Sequence, residues 1–322
     1  MRVPSNLERV LAEGDFAVTS ELGPPQSADG QVVRKKTKHF RDFVDAVNIT
    51  DNQTAIVRMS SIATATILAA EGFDTVIQVT CRDRNRIAIQ SDILGAAALG
   101  VKNVLCLSGD HQSFGNHPGS KNVYDIDSIQ LIAMIKNMRD ESMFASGDEM
   151  KKAPELFIGA AANPFADPME FRVFRLAKKV RAGADFIQTQ AVFDLPRFRD
   201  YMGLVRAHGL DEKVAILAGI IPVRSARALS YMKSEVAGMI VPDELIRRME
   251  GADDPKEEGV RIAVELIEQI REIEGVRGVH LMPVTWESSI PKVCEEAGLL
   301  PRPVYAKPSA GEIVDSAAVT AG

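Results

Sequence analysis

Cysteine is scarce, with Cys81, Cys106 and Cys294 the only three among 322 residues. An odd number without a C-x-x-C pair argues against a disulfide framework or a zinc ribbon and suits a reducing cytoplasm. Histidine is also sparse, and His39, His111, His117, His208 and His280 show no metal-ligand spacing. No Cys/His or Ser/His nucleophile arrangement stands out, and no acid pair or D-x-D cluster suggests magnesium. No apolar run approaches the ~20 residues needed to cross a bilayer, and the N-terminus lacks the apolar core of a signal peptide. Positive charge is not in excess: 38 Lys and Arg against 44 Asp and Glu give a net −6. That balance argues against nucleic acid as the main partner.

What is present is core-forming sequence. Hydrophobic residues make up 46% and charged residues 25%, the balance of a globular chain. Its length suits one large barrel or two ordinary domains, and a fold of that size buries roughly 75% of its unfolded surface without a staple. Apolar Val/Ile/Leu/Ala runs predict strands near 17–22, 45–50, 74–81, 103–109, 156–162, 185–190, 214–220 and 278–284. Helical periodicity predicts helices between them and one near 288–298 after the last strand. In the fifth, Met169, Val173, Leu176, Ala177 and Val180 form the apolar stripe, with Asp167 and Pro168 expected at its N-cap and first turn. Gly72, Gly100, Gly183 and Gly209 each punctuate a helix end before a strand.

Eight such units predict a single α/β domain over 1–322, a (β/α)8 TIM barrel. Extra helices over Asp243–Glu250 and Glu257–Glu274 are expected between strands seven and eight. A doubly wound open sheet is the alternative, but its glycine-rich dinucleotide fingerprint is absent. The long segments 111–124 and 141–155 are loops, the first a candidate lid or cofactor wall, and 307–322 reads as a mobile tail.

Several strands end in a lone acid or amide, and in a parallel barrel all those ends meet at one mouth. Glu21 is one, ahead of Gly23-Pro24-Pro25. A carboxyl partly stripped of water there could serve as general acid, or equally as a rim acid paired with a lysine. Asp110 follows Ser108-Gly109, where glycine lets a planar ligand approach; a turn cap is the alternative. Gln188 and Gln190 bring donors and acceptors that suit a heterocycle with mixed edges, or that merely satisfy a loop. The stretch Arg82-Asp-Arg-Asn-Arg86 reads evenly as an anion site at a helix start or a solvated ion-pair network. With no nucleophile or metal at a strand end, the chemistry is expected to come from an organic cofactor.

Seven segments occur in one order along the barrel: TSELGPP, NITDNQTA, QVTCRDRNR, QSDILGAAALG, LSGD, AGADFIQTQAVFD and GIIPVRSARA. Together they resemble the methylenetetrahydrofolate reductase family, the CRDRNR form being similar to its acetogen, archaeal and methyltransferase-fused branch. The resemblance covers roughly 15–300. It implies flavin-dependent reduction of 5,10-methylenetetrahydrofolate, or a related tetrahydropterin, to the 5-methyl form. Glu21 matches the family's catalytic acid, Asp110 the acid beside the flavin, and Gln190, with Gln188, the pterin-binding amides.

Thr50, Asp51, Gln78, Thr80, Ser108 and Gly109 fall where the family holds its flavin. So do Asp110, Tyr124, Ala161, Arg175 and Lys179, the lysine near the diphosphate. The implied cofactor is FAD, with FMN as the shorter alternative. Ala226 stands where NADH-using bacterial members carry a nicotinamide-packing aromatic, and Trp286 where they carry a folate-binding arginine. The implied electron donor is therefore either NAD(P)H or a partner iron–sulfur subunit, in a homo-oligomer or hetero-complex. An electron-relay subunit and a flavin-free pterin-binding barrel are the rival readings.

Overall fold

The strand runs named above are buried on both sides, and a sheet closed on itself with an outer helical layer buries all eight without leaving an edge. The computed structural model describes residues 3–305 and contains that arrangement. Strands β1 (Ala17–Leu22), β2 (Ala46–Ile49), β3 (Thr75–Thr80) and β4 (Asn103–Leu107) pair in parallel. They continue into β5 (Phe157–Ala162), β6 (Phe186–Ala191), β7 (Ala215–Ile220) and β8 (Val276–Leu281), which closes on β1. The protein is a (β/α)8 barrel.

The outer helices are α2 (Gly30–Lys36), α3 (Ser61–Ala70), α4 (Arg86–Ala98), α5 (Ser128–Asp140) and α6 (Met169–Ala182). They continue with α7 (Leu195–Ala207), α8 (Ala226–Glu235), α9 (Asp243–Glu250), α10 (Pro255–Arg271) and α11 (Ile290–Glu296). Helices α9 and α10 are the expected insertion before β8. The latter starts two residues earlier than the periodicity implied, because Asp254 caps it and Pro255 takes its first turn. The expected mobile tail lies outside the described residues.

One helix-start expectation is corrected. Pro168 itself, with extended φ −73° and ψ 146°, occupies the N-cap of α6 and offers no side-chain cap. The Asp167 carboxylate instead pairs with Arg197. The four punctuating glycines all adopt positive φ, from 57° at Gly209 to 113° at Gly183.

A further helix, α1 (Asn6–Glu13), precedes the first strand. Ser5 caps it by accepting the Glu8 N–H at 3.0 Å. Its Leu7, Val10 and Leu11 cluster with Ala17, Ala46, Val76 and Leu105, and with Phe157, Phe186 and Leu217. These are inward-facing residues near the beginnings of the strands, so α1 plugs the end of the barrel opposite the mouth. Phe157 and Phe186 stack there at 5.1 Å between centroids. Gly159 is required beside them, since a Cβ there would lie 2.2 Å from the Phe186 ring.

Asp74 sits at that plugged end, accepting from Leu7 N–H at 2.9 Å and Asn103 Nδ2 at 2.8 Å. Burial, only partly offset by these bonds, pushes its carboxyl up to about 6. The folded state therefore holds this proton more tightly than the unfolded chain does. The resulting stability is complete below about pH 4 and is lost as pH rises through about 6. Against Asp74→Asn, wild-type unfolding free energy should fall by on the order of 3 kcal/mol between about pH 4 and pH 7. Urea unfolding of both proteins across that range checks this, and a pH-independent difference would contradict it.

Candidate active site

Alternation along the strands brings a second tier of inward residues above the plug, and here they are polar. Thr19, Asn48, Gln78, Gln188 and His280 are all buried. Register pairs Thr19 with His280, and Glu21, two residues further along β1, with Asn48. The amides of Asn48 and Gln188 exchange hydrogen bonds at 2.6 and 3.1 Å. Gln188 Nε2 also donates to Thr19 Oγ1 at 3.1 Å, and that oxygen lies 2.9 Å from His280 Nδ1. The Glu21 side chain, 15% exposed, stands above this tier. Gln78 Nε2 donates to its Oε2 at 3.1 Å, and His280 Nε2 lies 3.9 Å from the same oxygen.

Glu21, Gln78 and Leu107 line two adjoining cavities at the mouth. The larger, about 360 Å³, reaches Ala161, Arg175, Lys179, Gln188, Gln190 and Met282. The smaller, about 240 Å³, reaches Thr50, Asp51, Thr80, Ser108, Gly109 and Asp110. Tyr124 stands at the rim, its hydroxyl donating to the Gly109 carbonyl at 3.3 Å. The fold thus gathers at one mouth the strand-end residues Glu21, Asp110, Gln188 and Gln190, with Glu21 on the ridge between two lobes, whereas Ala226 and Trp286 line neither lobe.

In the smaller lobe the Thr50 hydroxyl is buried with no hydrogen-bond partner. Asp51 is engaged through one oxygen: Oδ2 accepts from Thr80 N–H at 2.9 Å and Thr80 Oγ1 at 3.0 Å, and pairs with Arg84. Asp110 accepts from Thr54 N–H at 3.1 Å. Gly109 has φ 86°, and a Cβ there would come 3.0 Å from Thr80 and 3.1 Å from Arg82. The need for glycine is met within the chain, before any ligand arrives. The 111–124 loop packs on the neighbouring loops outside the lining of this lobe: Gly115 lies against Ala55, and Val123 N–H donates to the Arg82 carbonyl at 2.8 Å.

The arginine-rich stretch resolves into ion pairs. Arg82 grips Asp83 and donates to the carbonyls of Asp110 and Asn52 at 3.1 and 3.2 Å. Arg84 pairs with Asp51 and Asp92, and Arg86 with Asp125, whose carboxyl that contact holds down to about 2. These guanidiniums brace the loops after β2, β3 and β4.

In the larger lobe, Lys179 Nζ donates to the Ala161 carbonyl. Burial, aided by the Arg175 charge, brings this ammonium down to about 8. Gln190 turns its Oε1 to its neighbour's Ala191 N–H at 3.1 Å. Both amide groups of Gln188 are already engaged in the polar tier. Ala226 begins α8 under its Ser225 cap, and Trp286 packs half-buried after β8. Among the described residues no group of three His, Cys, Asp or Glu could hold a metal ion. No helix there is long and apolar enough to cross a membrane.

The interior tier contains Thr19, Asn48 and His280, which motif reading had passed over. Their signal is a pair of polar residues two positions apart toward the end of four strands: Thr19 and Glu21, Asn48 and Thr50, Gln78 and Thr80, Gln188 and Gln190.

The chain is similar to several proteins named methylenetetrahydrofolate reductase. A Pectobacterium carotovorum 5,10-methylenetetrahydrofolate reductase is 23% identical over 305 residues, covering 92% of this chain and 95% of that one. Methylenetetrahydrofolate reductase 2 of Schizosaccharomyces pombe is 27% identical over 238 residues. That match covers 70% of this chain and 36% of the yeast protein, so the chain corresponds to only part of such longer relatives. In three dimensions it matches an uncharacterized Clostridium thermocellum protein that binds two copies of 5-methyl-5,6,7,8-tetrahydrofolic acid. The TM-score is 0.64 at 15% identity, over 92% of this chain and 99% of that one. The family model described as methylenetetrahydrofolate reductase matches residues 6–298, and the chain therefore belongs to that family.

Proposed function

We propose that this chain reduces 5,10-methylenetetrahydrofolate, or a closely related tetrahydropterin, to the 5-methyl form with a bound flavin. The observation that carries the reading is Glu21 on the ridge between two lobes, within reach of ligands on either side. Family membership supports the reaction, and the similar barrel that binds a methylated reduced folate supports the ligand class.

The smaller lobe fits a flavin. Its unpartnered Thr50 hydroxyl awaits a polar edge, since an unsatisfied buried group is costly. Thr80, Ser108 and Gly109 would line that group, with Asp110 and Tyr124 toward the rim, and Arg175 and Lys179 would meet an anionic extension. The reading takes FAD as that flavin, with FMN the alternative. When bound, the flavin supplies the hydride.

The protein supplies the rest. Glu21 holds a proton and delivers it to the bridging nitrogen of the substrate, opening the methylene bridge to an electrophilic iminium carbon. Gln190 holds the pterin edge, with Gln188 fixing the floor beneath it. The Asp110 carboxylate opposes further negative charge in the smaller lobe. A subunit that only relays electrons has no need of an acid on the ridge. The electron donor in this reading is NAD(P)H or a partner iron–sulfur subunit, the small Ala226 favouring the latter.

Denaturing the purified protein and identifying the released flavin, then titrating it anaerobically with methyl-tetrahydrofolate, NADH or NADPH, tests the reading. Methyl-tetrahydrofolate is expected to bleach the flavin. A colourless protein, or a flavin untouched by the pterin, overturns the proposal. Bleaching by a nucleotide identifies that nucleotide as the donor.

A further inference from the structure

The polar tier beneath Glu21 is wired in one direction. The Asn48–Gln188 amide pair commits one Gln188 N–H to Asn48 Oδ1, which leaves the other for Thr19 Oγ1. Thr19 has a single hydroxyl proton and two acceptors within range. The Val279 carbonyl is at 3.4 Å and His280 Nδ1 at 2.9 Å, so the shorter contact takes it. Nδ1 is then an acceptor and the imidazole carries its proton on Nε2, which faces Glu21. His280 is 4% exposed at its side chain, so its ring is held by its neighbours more than by bulk solvent.

Oε2 of Glu21 therefore meets two N–H groups, from Gln78 on β3 and His280 on β8. The His280 approach of 3.9 Å exceeds a hydrogen bond, and catalytic contacts that are long in a free enzyme often tighten in its substrate complex. A carboxyl oxygen facing two donors is the poorer place for a proton. The acid proton is thereby directed to the other oxygen, Oε1.

We propose that His280 is a positioning residue for Glu21, held as the Nε2–H tautomer by the Asn48–Gln188–Thr19 chain so that Glu21 presents its transferable proton on Oε1. This rests on the reading of Glu21 as the proton donor. No bond to His280 forms or breaks: the proton leaves Oε1 for the substrate nitrogen and the carboxylate is recharged from solvent.

The first test is nitrogen NMR of protein labelled in its histidine rings, with and without flavin. The signals lost in His280→Asn identify this residue. They should report a proton on Nε2, Thr19→Val should disturb that tautomer, and Glu21→Gln should shift the Nε2 resonance. A proton on Nδ1, or an Nε2 signal indifferent to Glu21→Gln, overturns the proposal.

The second test is kinetic. His280→Asn, which loses the donor toward Glu21, should lower kcat about 10- to 100-fold, the worth of a hydrogen bond to a charged group. KM should stay unchanged. His280→Gln, which can return an N–H to the Nε2 position, should recover most of the loss. In a Glu21→Gln background, His280→Asn should cost nothing further. Full additivity, or wild-type kcat in His280→Asn while Glu21→Gln is dead, overturns this inference and leaves the Glu21 reading intact. An active Glu21→Gln overturns the Glu21 reading itself and this inference with it.

Discussion

Glu21→Gln is expected to lower turnover of the methylene-tetrahydropterin by about 10³- to 10⁴-fold, the upper part of what a positioned general acid contributes. The replacement is nearly isosteric. Its amide oxygen can still accept from Gln78, so the ridge between the lobes should keep its shape. What is lost is the carboxyl proton that the proposed reaction draws on. Flavin content and reduction of the flavin by artificial donors should be unchanged, because the near-isosteric amide keeps the lining of the smaller lobe in place and Thr50 is not altered. Single-turnover mixing of reduced protein with substrate reads the effect directly, with thermal melting as the control for folding. Near-normal turnover would remove Glu21 from the chemistry.

Arg302→Met is expected to destabilise the fold by about 3–5 kcal/mol, the cost of stranding one member of a buried ion pair. Arg302 and Asp45 are 10% and 1% exposed at their side chains. The guanidinium also donates to the Leu299 and Phe16 carbonyls, each at 2.8 Å. Asp45 meanwhile accepts the Val18 N–H at 2.7 Å. This single contact joins the segment after α11 to β1 and to the start of β2. Burial pushes the Asp45 carboxyl up, and the arginine opposes that push, so removing Arg302 leaves a costly group behind. Asp45→Asn with Arg302→Met should recover part of the loss, since no charge is then stranded. Urea unfolding of both variants measures it. A loss below about 1 kcal/mol for Arg302→Met would mean that the pair contributes no more than a surface one.

The barrel was legible because its strands are apolar on both faces and each helix between them stops at a glycine or a cap. The residues of the mouth were legible for a related reason: a polar side chain closing an apolar run has few other places to go. Helix α1 was not read, although Ser5-Asn-Leu-Glu8 ahead of Val10 and Leu11 carries the spacing of a capping box. It belongs to no strand–helix unit, so the period that found the others could not find it. His280 was discounted for lacking metal partners. Its partners are a hydroxyl and a carboxyl that only the closure of β8 onto β1 brings near. Arg82, Arg84 and Arg86 were ambiguous because their carboxylate partners include Asp51, Asp92 and Asp125, the outer two roughly 30 to 40 residues away in sequence.

The plugged end also determines where a tether can be attached. Val3 and Tyr305 belong to the same cluster beneath the barrel. The Tyr305 hydroxyl reaches Asp15, and Arg9 lies over its ring at 5.8 Å. Cargo, a surface anchor or a neighbouring module joined at either side would leave from the face opposite the mouth, and substrate traffic would not have to pass it. The same closeness allows a short peptide to join the two positions and the chain to be reopened at an outer loop, giving a permuted barrel with the rim of its mouth unchanged.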